Sequence, residues 1–590
     1  MELAGIYHRP ESEMAFLYAP KKMRIRLRTS KDDIKNVELI HGDPYSLRSL
    51  AGIEPPFYQS TSRMKKILSD ELYDYWQIEV TEPKKRLAYA FKVTDTAGSE
   101  LVYTDRGFIK IDDKEQLDDM NTYFRMPFFQ EIDMAKEPEW VRKTIWYQIF
   151  PERFANGDVT NDPQDTKKWD PNINPGRQDF YGGDLQGVLD HLDYLKELGI
   201  NGIYFNPIFK APSNHKYDTE DYYQIDPHFG DKKLFKELVK QAHKRGIRVM
   251  LDAVFNHIGD KSPQWQDVLK NGENSKYKDW FHINKFPATY TPTNNFEFAL
   301  DATYDTFDYT PHMPKLNTAN PEVQEYLLDI GEYWVKEFDI DAWRLDVANE
   351  IDHHFWREFH NKMIKLKPDF YILGEIWHTS QAWLNGDEFN GVMNYAYTTA
   401  ILQHFIEKKL TTTELVEQLS TQLMKYRDQT NQMMFNVLDS HDTARIKTLA
   451  HNNMDLVRQI FTFTFLQSGT PSIYYGTEYG MTGENDPDSR KPMNWWPNEE
   501  EKDIFKFFQL LIEFRKKNWQ LISEGEIKFT VLDNGLLKIE RVLRNKKITG
   551  LFNTTSKEIK LMKKEKPIIS QNYQGNALKR DGFVISKRKS

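Results

Sequence analysis

Four short segments of this chain concentrate side chains that can move protons or attack an electrophile: Asp252-Ala-Val-Phe-Asn-His257, Trp343-Arg-Leu-Asp-Val-Ala-Asn-Glu350, Gly374-Glu-Ile-Trp-His378 and Leu438-Asp-Ser-His-Asp442. Each sets a carboxylate, imidazole or guanidinium directly after a β-branched or aromatic run, where a strand serving only the core would stop with Gly or Asn. Arg344 and Asp346 are two residues apart, so on a strand both side chains point to one face. A guanidinium there favours the ionised form of the Asp346 carboxylate. A lone carboxylate at a strand end is usually a solvated cap; four such segments together argue for a shared site. Cysteine is absent, which excludes disulfides, thiolate metal sites and thiol nucleophiles. The pair His353-His354 has no partner at metal-ligand spacing and reads as helix surface.

Such side chains need a frame to bring them together. From about Thr144 the chain alternates strand and helix, with strands predicted at Ile145–Phe150, Ile200–Phe205, Ile247–Val254, Ile340–Val347, Phe370–Glu375, Gly391–Tyr395, Met433–Leu438 and Ser472–Tyr475. Amphipathic stretches between them, such as Leu185–Leu198, Lys232–Arg245 and Pro321–Glu337, read as helices, and Gly199 and Gly246 stand where helix C-caps belong. This rhythm predicts an α/β fold, a (β/α)8 TIM barrel, with a doubly wound sheet as the competing architecture. In a barrel, functional residues occupy the C-terminal ends of strands, which is where the four segments fall. After the third strand about 65 residues pass before the helix near Pro321, far beyond the roughly 2–6 of an ordinary βα loop. That aromatic-rich stretch is expected to form a subdomain over the barrel mouth.

Both ends of the chain read as strands. Met23, Ile25 and Leu27 share one strand face, as do Leu87, Tyr89, Phe91 and Val93, and turn signals such as His41-Gly42-Asp43-Pro44 separate such runs. After a helix at Glu501–Asn518, strands recur at Ile527–Leu532 and Leu536–Val542. The expected division is an N-terminal β-sandwich over residues 1–122, a barrel over 123–518 with the inserted subdomain at about 257–315, and a C-terminal β-sandwich over 519–590.

The whole-chain composition narrows the function classes. With 39% hydrophobic and 28% charged residues the chain has the balance of a soluble globular protein. A net charge of −9 without a strongly basic patch gives no support to nucleic-acid capture. No apolar run approaches the ~20 residues that span a bilayer, and the N-terminus lacks the apolar core of a signal peptide, so no membrane association and a cytoplasmic location are expected. Aromatic residues reach 14%, a content that suits stacking against the apolar faces of sugar rings, while most such rings will be core.

The four segments, in this order and at these separations, resemble the four signature regions of the α-amylase family of glycoside hydrolases. Met313-Pro-Lys-Leu-Asn317 is similar to the signature of its neopullulanase, cyclomaltodextrinase and maltogenic amylase branch. Gly182-Gly-Asp-Leu185 and Gly469-Thr-Pro-Ser-Ile-Tyr-Tyr-Gly476 resemble two further family segments, and the likeness runs from about Ile145 to Pro497. It implies a retaining α-glucan hydrolase with Asp346 as nucleophile, Glu375 as acid and base, and Asp442 as the carboxylate that steadies the distorted sugar. It also implies sugar contacts from Tyr217, His257, Arg344, Trp377 and His441, and from Asp486 and Arg490 towards the next sugar. There Glu484 departs from the commoner Gly-Gly-Asn-Asp-Pro form, and a purely structural Asp486–Arg490 salt bridge is the alternative. Glu375 has to stay protonated, which predicts partial burial aided by Trp377. A structural Ca2+ is implied at Asn156, Asp158, Asn161, Asp162, Gly182 and Asp184, hard oxygen donors of the kind the ion prefers.

The branch further implies cyclodextrin, maltooligosaccharide, pullulan or starch as substrate, and a homodimer formed through the N-terminal module. An α-1,6-glucosidase or a glucanotransferase of the same family is the alternative enzyme. A silent sugar-binding protein is the alternative outside enzymes, and the presence of all three carboxylates argues against it.

Overall fold

The computed structural model describes residues 1–45, 56–293 and 298–589, so four residues of the expected inserted subdomain, 294–297, and ten of the N-terminal module, 46–55, lie outside the described residues. By contacts the chain divides into two units, one of Met1–Lys136, Ala400–Asn431 and Ile527–Glu540, the other of Glu137–Thr399, Gln432–Glu526 and Arg541–Ser590.

In the first unit, the N-terminal residues form two antiparallel sheets. One contains Ala15–Ala19, Lys22–Ser30, Tyr73–Thr81 and Lys65–Ser69; the other is centred on Ile34–Gly42 and Leu87–Asp95. The alternation of these strands has the expected consequence: Met23, Ile25 and Leu27 pack with Leu87, Tyr89, Phe91 and Val93 in one buried cluster.

In the second unit, eight short parallel strands form the barrel: β1 (Trp146–Ile149), β2 (Gly202–Phe205), β3 (Arg248–Ala253), β4 (Ala342–Leu345), β5 (Tyr371–Gly374), β6 (Gly391–Val392), β7 (Phe435–Asn436) and β8 (Thr470–Tyr474). Their order is β6-β5-β4-β3-β2-β1-β8-β7, and a parallel bridge between Met393 and Phe435 closes the ring. The doubly wound alternative is thereby excluded, because an open sheet has two edges. Strands 546–553, 559–560, 569–574 and 577–589 pair antiparallel near the C-terminus.

The barrel interior changes character along its axis. Trp146, Tyr204, Met250, Ala342, Tyr371 and Phe435 meet in one buried cluster. Two residues further along β1 to β4, on the same inward face, come Gln148, Asn206, Asp252 and Arg344, all buried. Gly202 makes room for this packing, since a Cβ there would lie 2.7 Å from the Trp146 ring. Apolar closure below and a polar layer above is the frame for the site.

Helices follow the local signals. Asp231 accepts from the Leu234 N–H to cap Lys232–Lys244, and Gly199 ends its helix at φ 101°. The stretch expected as one helix at Leu185–Leu198 is two, Leu185–Asp190 and Leu192–Leu198. His191 breaks it: its Nδ1 bonds the Gly187 carbonyl at 2.7 Å and its ring stacks on Trp495 with centroids 3.9 Å apart. The long connection after β3 carries a helix at Pro263–Asn271 and bridges pairing His257 with Lys315 and Phe281 with Leu316. Trp265, packed on Phe281 and Tyr304 at 4.8 and 4.6 Å, is its small core.

Candidate active site

At the polar end of the barrel one guanidinium organises three carboxylates. Arg344, fully buried on β4, donates from Nη1 to both oxygens of Asp252 at 2.9 Å and to Asp346 Oδ1 at 2.6 Å. Its Nη2 lies 2.8 Å from Glu375 Oε1. One positive charge facing three carboxyls leaves the cluster short of compensation. Burial therefore pushes Asp346 well above the usual carboxylate range, with Glu375 and Asp252 adding to the rise and Arg344 opposing it. Asp252 is raised for the same leading reason. Arg344 favours the charged form of Asp346, as expected, while burial and the neighbouring carboxyls that share the guanidinium act against it.

The backbone beside Asp346 is strained. Val347 sits at φ 45°, ψ 44°, a left-handed conformation that costs a β-branched residue roughly 1–3 kcal/mol. It turns the Val347 N–H onto Glu375 Oε2 at 3.0 Å, so β4 and β5 are tied at the reacting carboxyls. Glu375 is buried, and Trp377 lies against it while itself facing the opening. Its ring is 51% exposed, it stacks on Tyr395 at 3.5 Å, and its Nε1 donates to Glu375 Oε1 at 3.3 Å.

Asp442, after β7, faces the opening. Its carboxyl is pushed up to about 7 by the surrounding protein and by Glu375, against the pull of Arg490 and Arg344. His441 Nε2 is 3.1 Å from Asp442 Oδ2 and 2.7 Å from Tyr217 OH, and the Tyr217 and His441 rings are parallel within 7°. His257 lies against Phe307 at 5.2 Å, and burial pushes it down to about 3, so it is neutral. Asp486 and Arg490 are paired at 2.9 Å, and both line the cleft. Arg490 also reaches Asp442 Oδ1 at 3.5 Å and donates from Nε to the His441 carbonyl at 2.9 Å. The Glu484 departure is absorbed, because its N–H donates to Asp488 Oδ2 at 2.7 Å. Asp346, Glu375, Asp442, Tyr217, His257 and Trp377 all line one cleft of about 980 Å3.

Sequence reasoning named Asp252 without a role and did not single out Gln148, Tyr204, Asn206 or Tyr395. The available signal was a polar residue on the inward face of an otherwise apolar strand, as Gln148 is within Trp146–Ile149.

The Asn- and Asp-rich loop lies elsewhere in the second unit. Asn156 Nδ2 donates to Asp162 Oδ1 at 2.8 Å, and Gly182, at φ 80°, sits where a Cβ would come within 2.3 Å of that same oxygen. The side-chain oxygens of Asn156 and Asn161 are buried with no hydrogen-bond partner. Burial pushes the Asp162 carboxyl up, while hydrogen bonds from Thr160 lower that of Asp158. Asp184 accepts from the N–H groups of Gly157, Asp158 and Gly187 and from Asn161 Nδ2, at 2.6 to 3.2 Å, so both its oxygens are already used. Among the described residues no group of three or more His, Asp or Glu is gathered at metal-binding distance.

Residues 148–525 match the family described as alpha amylase, catalytic domain, and residues 1–130 match alpha amylase, N-terminal ig-like domain. An intracellular maltogenic amylase of Bacillus subtilis (strain 168) is 48% identical over 558 residues, 94% of this chain and 91% of that protein. Neopullulanase 2 of Thermoactinomyces vulgaris is 42% identical over 518 residues, 88% of this chain and 85% of that protein. A solved cyclomaltodextrinase superposes with a TM-score of 0.87 at 41% identity, covering 100% of this chain and 98% of that one.

Proposed function

The chain belongs to the alpha-amylase family of glycoside hydrolases, and from that premise we propose that it cleaves α-1,4 bonds of small or cyclic α-glucans with retention of configuration. The observation that carries the mechanism is the Arg344 guanidinium, which holds Asp346 and Glu375 at 2.6 and 2.8 Å from two of its nitrogens. Carboxyls tied to one fork suit the roughly 5–5.5 Å separation of a retaining pair better than the roughly 6.5–9.5 Å of an inverting one. Glu375 gives its proton to the glycosidic oxygen as the C1–O bond breaks, and Asp346 attacks C1 to form a glycosyl ester. Water then attacks C1, Glu375 takes its proton, and Asp346 leaves as carboxylate. Asp442, with His441 beside it, faces the positive charge that develops on the sugar. Trp377 stacked on Tyr395 offers an apolar platform to the leaving part or to an acceptor sugar, which supports transfer alongside hydrolysis.

The cyclomaltodextrinase and maltogenic amylase relatives support small or cyclic substrates, and the relative named as intracellular supports a cytoplasmic location. No helix among the described residues is long and apolar enough to cross a membrane. A homodimer through the N-terminal module is part of the same proposal. The test is a comparison of rates on β-cyclodextrin, pullulan and soluble starch with product identification, on material whose mass is followed by sedimentation. Cyclodextrin opened faster than starch by a dimer is the expected result. Starch preferred, or α-1,6 bonds cleaved first, overturns the substrate assignment, and monomers throughout remove the N-terminal module from it.

The loop of Asn156, Asn161, Asp162 and Gly182 is proposed to hold Ca2+, supported by its two buried amide oxygens without partners. Such an ion ties the segment after β1 to Gly182 and takes no part in the chemistry. Asp158 is a further candidate donor, whereas Asp184 shapes the loop through its four N–H contacts. About one calcium per chain by elemental analysis is expected. Chelation is expected to lower the melting temperature by several degrees, since saturation at about a hundredfold over Kd is worth about 2.7 kcal/mol. Metal-free protein that melts identically with and without added Ca2+ would remove the site.

A further inference from the structure

Behind the reacting carboxyls runs a chain of hydrogen bonds in which every donor has one direction. Gln148, on the inward face of β1, places Nε2 at 3.1 Å from Asn206 Oδ1 and 2.8 Å from His441 Nδ1. Asn206 Nδ2 then donates to Tyr217 OH at 3.0 Å, and Tyr217 OH donates to Asp252 Oδ2 at 2.9 Å. His441 Nε2 closes the loop on Tyr217 OH at 2.7 Å. At the far end both Asp252 oxygens face the Arg344 Nη1 donor, so that carboxyl accepts and the Tyr217 proton points at it. Its oxygen therefore accepts from both Asn206 and His441. An amide nitrogen only donates, so His441 Nδ1 must accept and carry no proton, and its single proton sits on Nε2. Turning the Gln148 amide over would set oxygen against Asn206 Oδ1. It would also carry the nitrogen to where Gln148 Oε1 now sits, buried with no hydrogen-bond partner, so nothing there rewards the flip.

We propose that Gln148 is a positioning residue that holds His441 as the neutral Nε2–H tautomer, aiming that proton at Tyr217 OH, 2.7 Å away, on the side of the cleft where Asp442 Oδ2 stands 3.1 Å from the same nitrogen. Protonation of His441 would bring a second N–H onto the Gln148 amide, so the same contact opposes the imidazolium. The surroundings agree. Arg490 lies beside His441 through the Nε bond to its carbonyl, Phe150 faces the ring at 6.4 Å, and the charges of Arg490 and Arg344 join burial in holding His441 well below the ordinary histidine range. His215 adds to that effect. Asp442 is the acidic group that opposes it by contact, and Asp252 reaches His441 only through Tyr217. A neutral His441, its one N–H held on Tyr217, keeps the ring beside Asp442 without adding a positive charge next to the developing cation.

This assignment rests on the glucan-hydrolase reading only for its kinetic arm. The decisive probes are Gln148→Glu and Gln148→Met in the full-length protein, read by side-chain 15N shifts of labelled histidines with His441→Asn to assign the resonance. Wild type is expected to show Nε2–H at pH 7. Gln148→Glu is expected to place a proton on Nδ1, and Gln148→Met to show a mixture of tautomers. On β-cyclodextrin Gln148→Glu is expected to lose tenfold or more in kcat with KM within about threefold. The acid limb of its kcat/KM profile is expected to move up by a pH unit or more. In a His441→Asn background the Gln148 substitutions are expected to add less than twofold. A wild-type Nδ1–H tautomer, or Gln148 effects that multiply in full with His441→Asn, overturns the proposal. Should Gln148→Glu fail to fold, Gln148→Met and the wild-type spectrum decide it. An inactive wild type with the Nε2–H tautomer would count against the substrate assignment and leave the Gln148 role intact.

Discussion

Asp346→Asn is expected to lower release of reducing sugar from β-cyclodextrin by about 10,000-fold or more, the scale on which loss of a nucleophile acts, equivalent to about 5 kcal/mol of barrier. The amide cannot form the glycosyl ester, yet its oxygen can still accept from Arg344 Nη1, so the three-way arrangement with Asp252 and Glu375 persists. Stability separates this from unfolding. The Asp346 carboxyl is raised in the folded protein by burial. A group raised in this way contributes stability below its unfolded pKa near 3.9 and loses it as pH rises through the folded value. Asn carries no such loss, so the variant is expected to melt no lower than the parent at pH 8. Near-parental turnover, or a variant that melts well below the parent at pH 8, would contradict the assignment.

The second large effect is on the fold. Arg344→Met removes the one cation among Asp252, Asp346 and Glu375, and breaking a buried charge cluster in this way costs roughly 3–5 kcal/mol. The cost grows with pH. Without the guanidinium the carboxyls rise further in the folded state, the folded chain binds more protons than the unfolded one, and stability falls as pH climbs from about 4. The melting-temperature deficit against wild type is therefore expected to be larger at pH 8 than at pH 4.5, together with loss of activity. An equal deficit at both values would mean that packing, not charge, is what Arg344 supplies. Lysine at this position is expected to rescue stability better than activity, since an ammonium is a point charge without the fork that spans Asp346 and Glu375.

Most of the architecture was legible because strand periodicity and turn chemistry are local. The pattern Trp146, Gln148 or Ala342, Arg344, Asp346 names the inward face of a strand before any partner is known. The helix break at His191 was not legible, because it depends on Trp495, some three hundred residues away in the chain and 3.9 Å away in space. The strain at Val347 was equally hidden: only the presence of Glu375 Oε2 across the gap gives the left-handed turn a purpose.

Residue type and order by themselves determined the alternation of strands and helices and the flanking β-rich ends, and their likeness to a family pattern picked out Asp346, Glu375 and Asp442 as the carboxylates to watch. Only the tertiary structure decided their state. Closing the ring through Met393 and Phe435 brings β3, β4 and β5 round one guanidinium, and the burial that follows pushes the Asp346 carboxyl up against the pull of Arg344. Gln148 acquires its partner in the same way, as an inward-facing polar residue whose contact exists only once the fold sets it 2.8 Å from His441. Charge compensation and hydrogen-bond direction are sums over neighbours, and those neighbours exist only once the chain has folded.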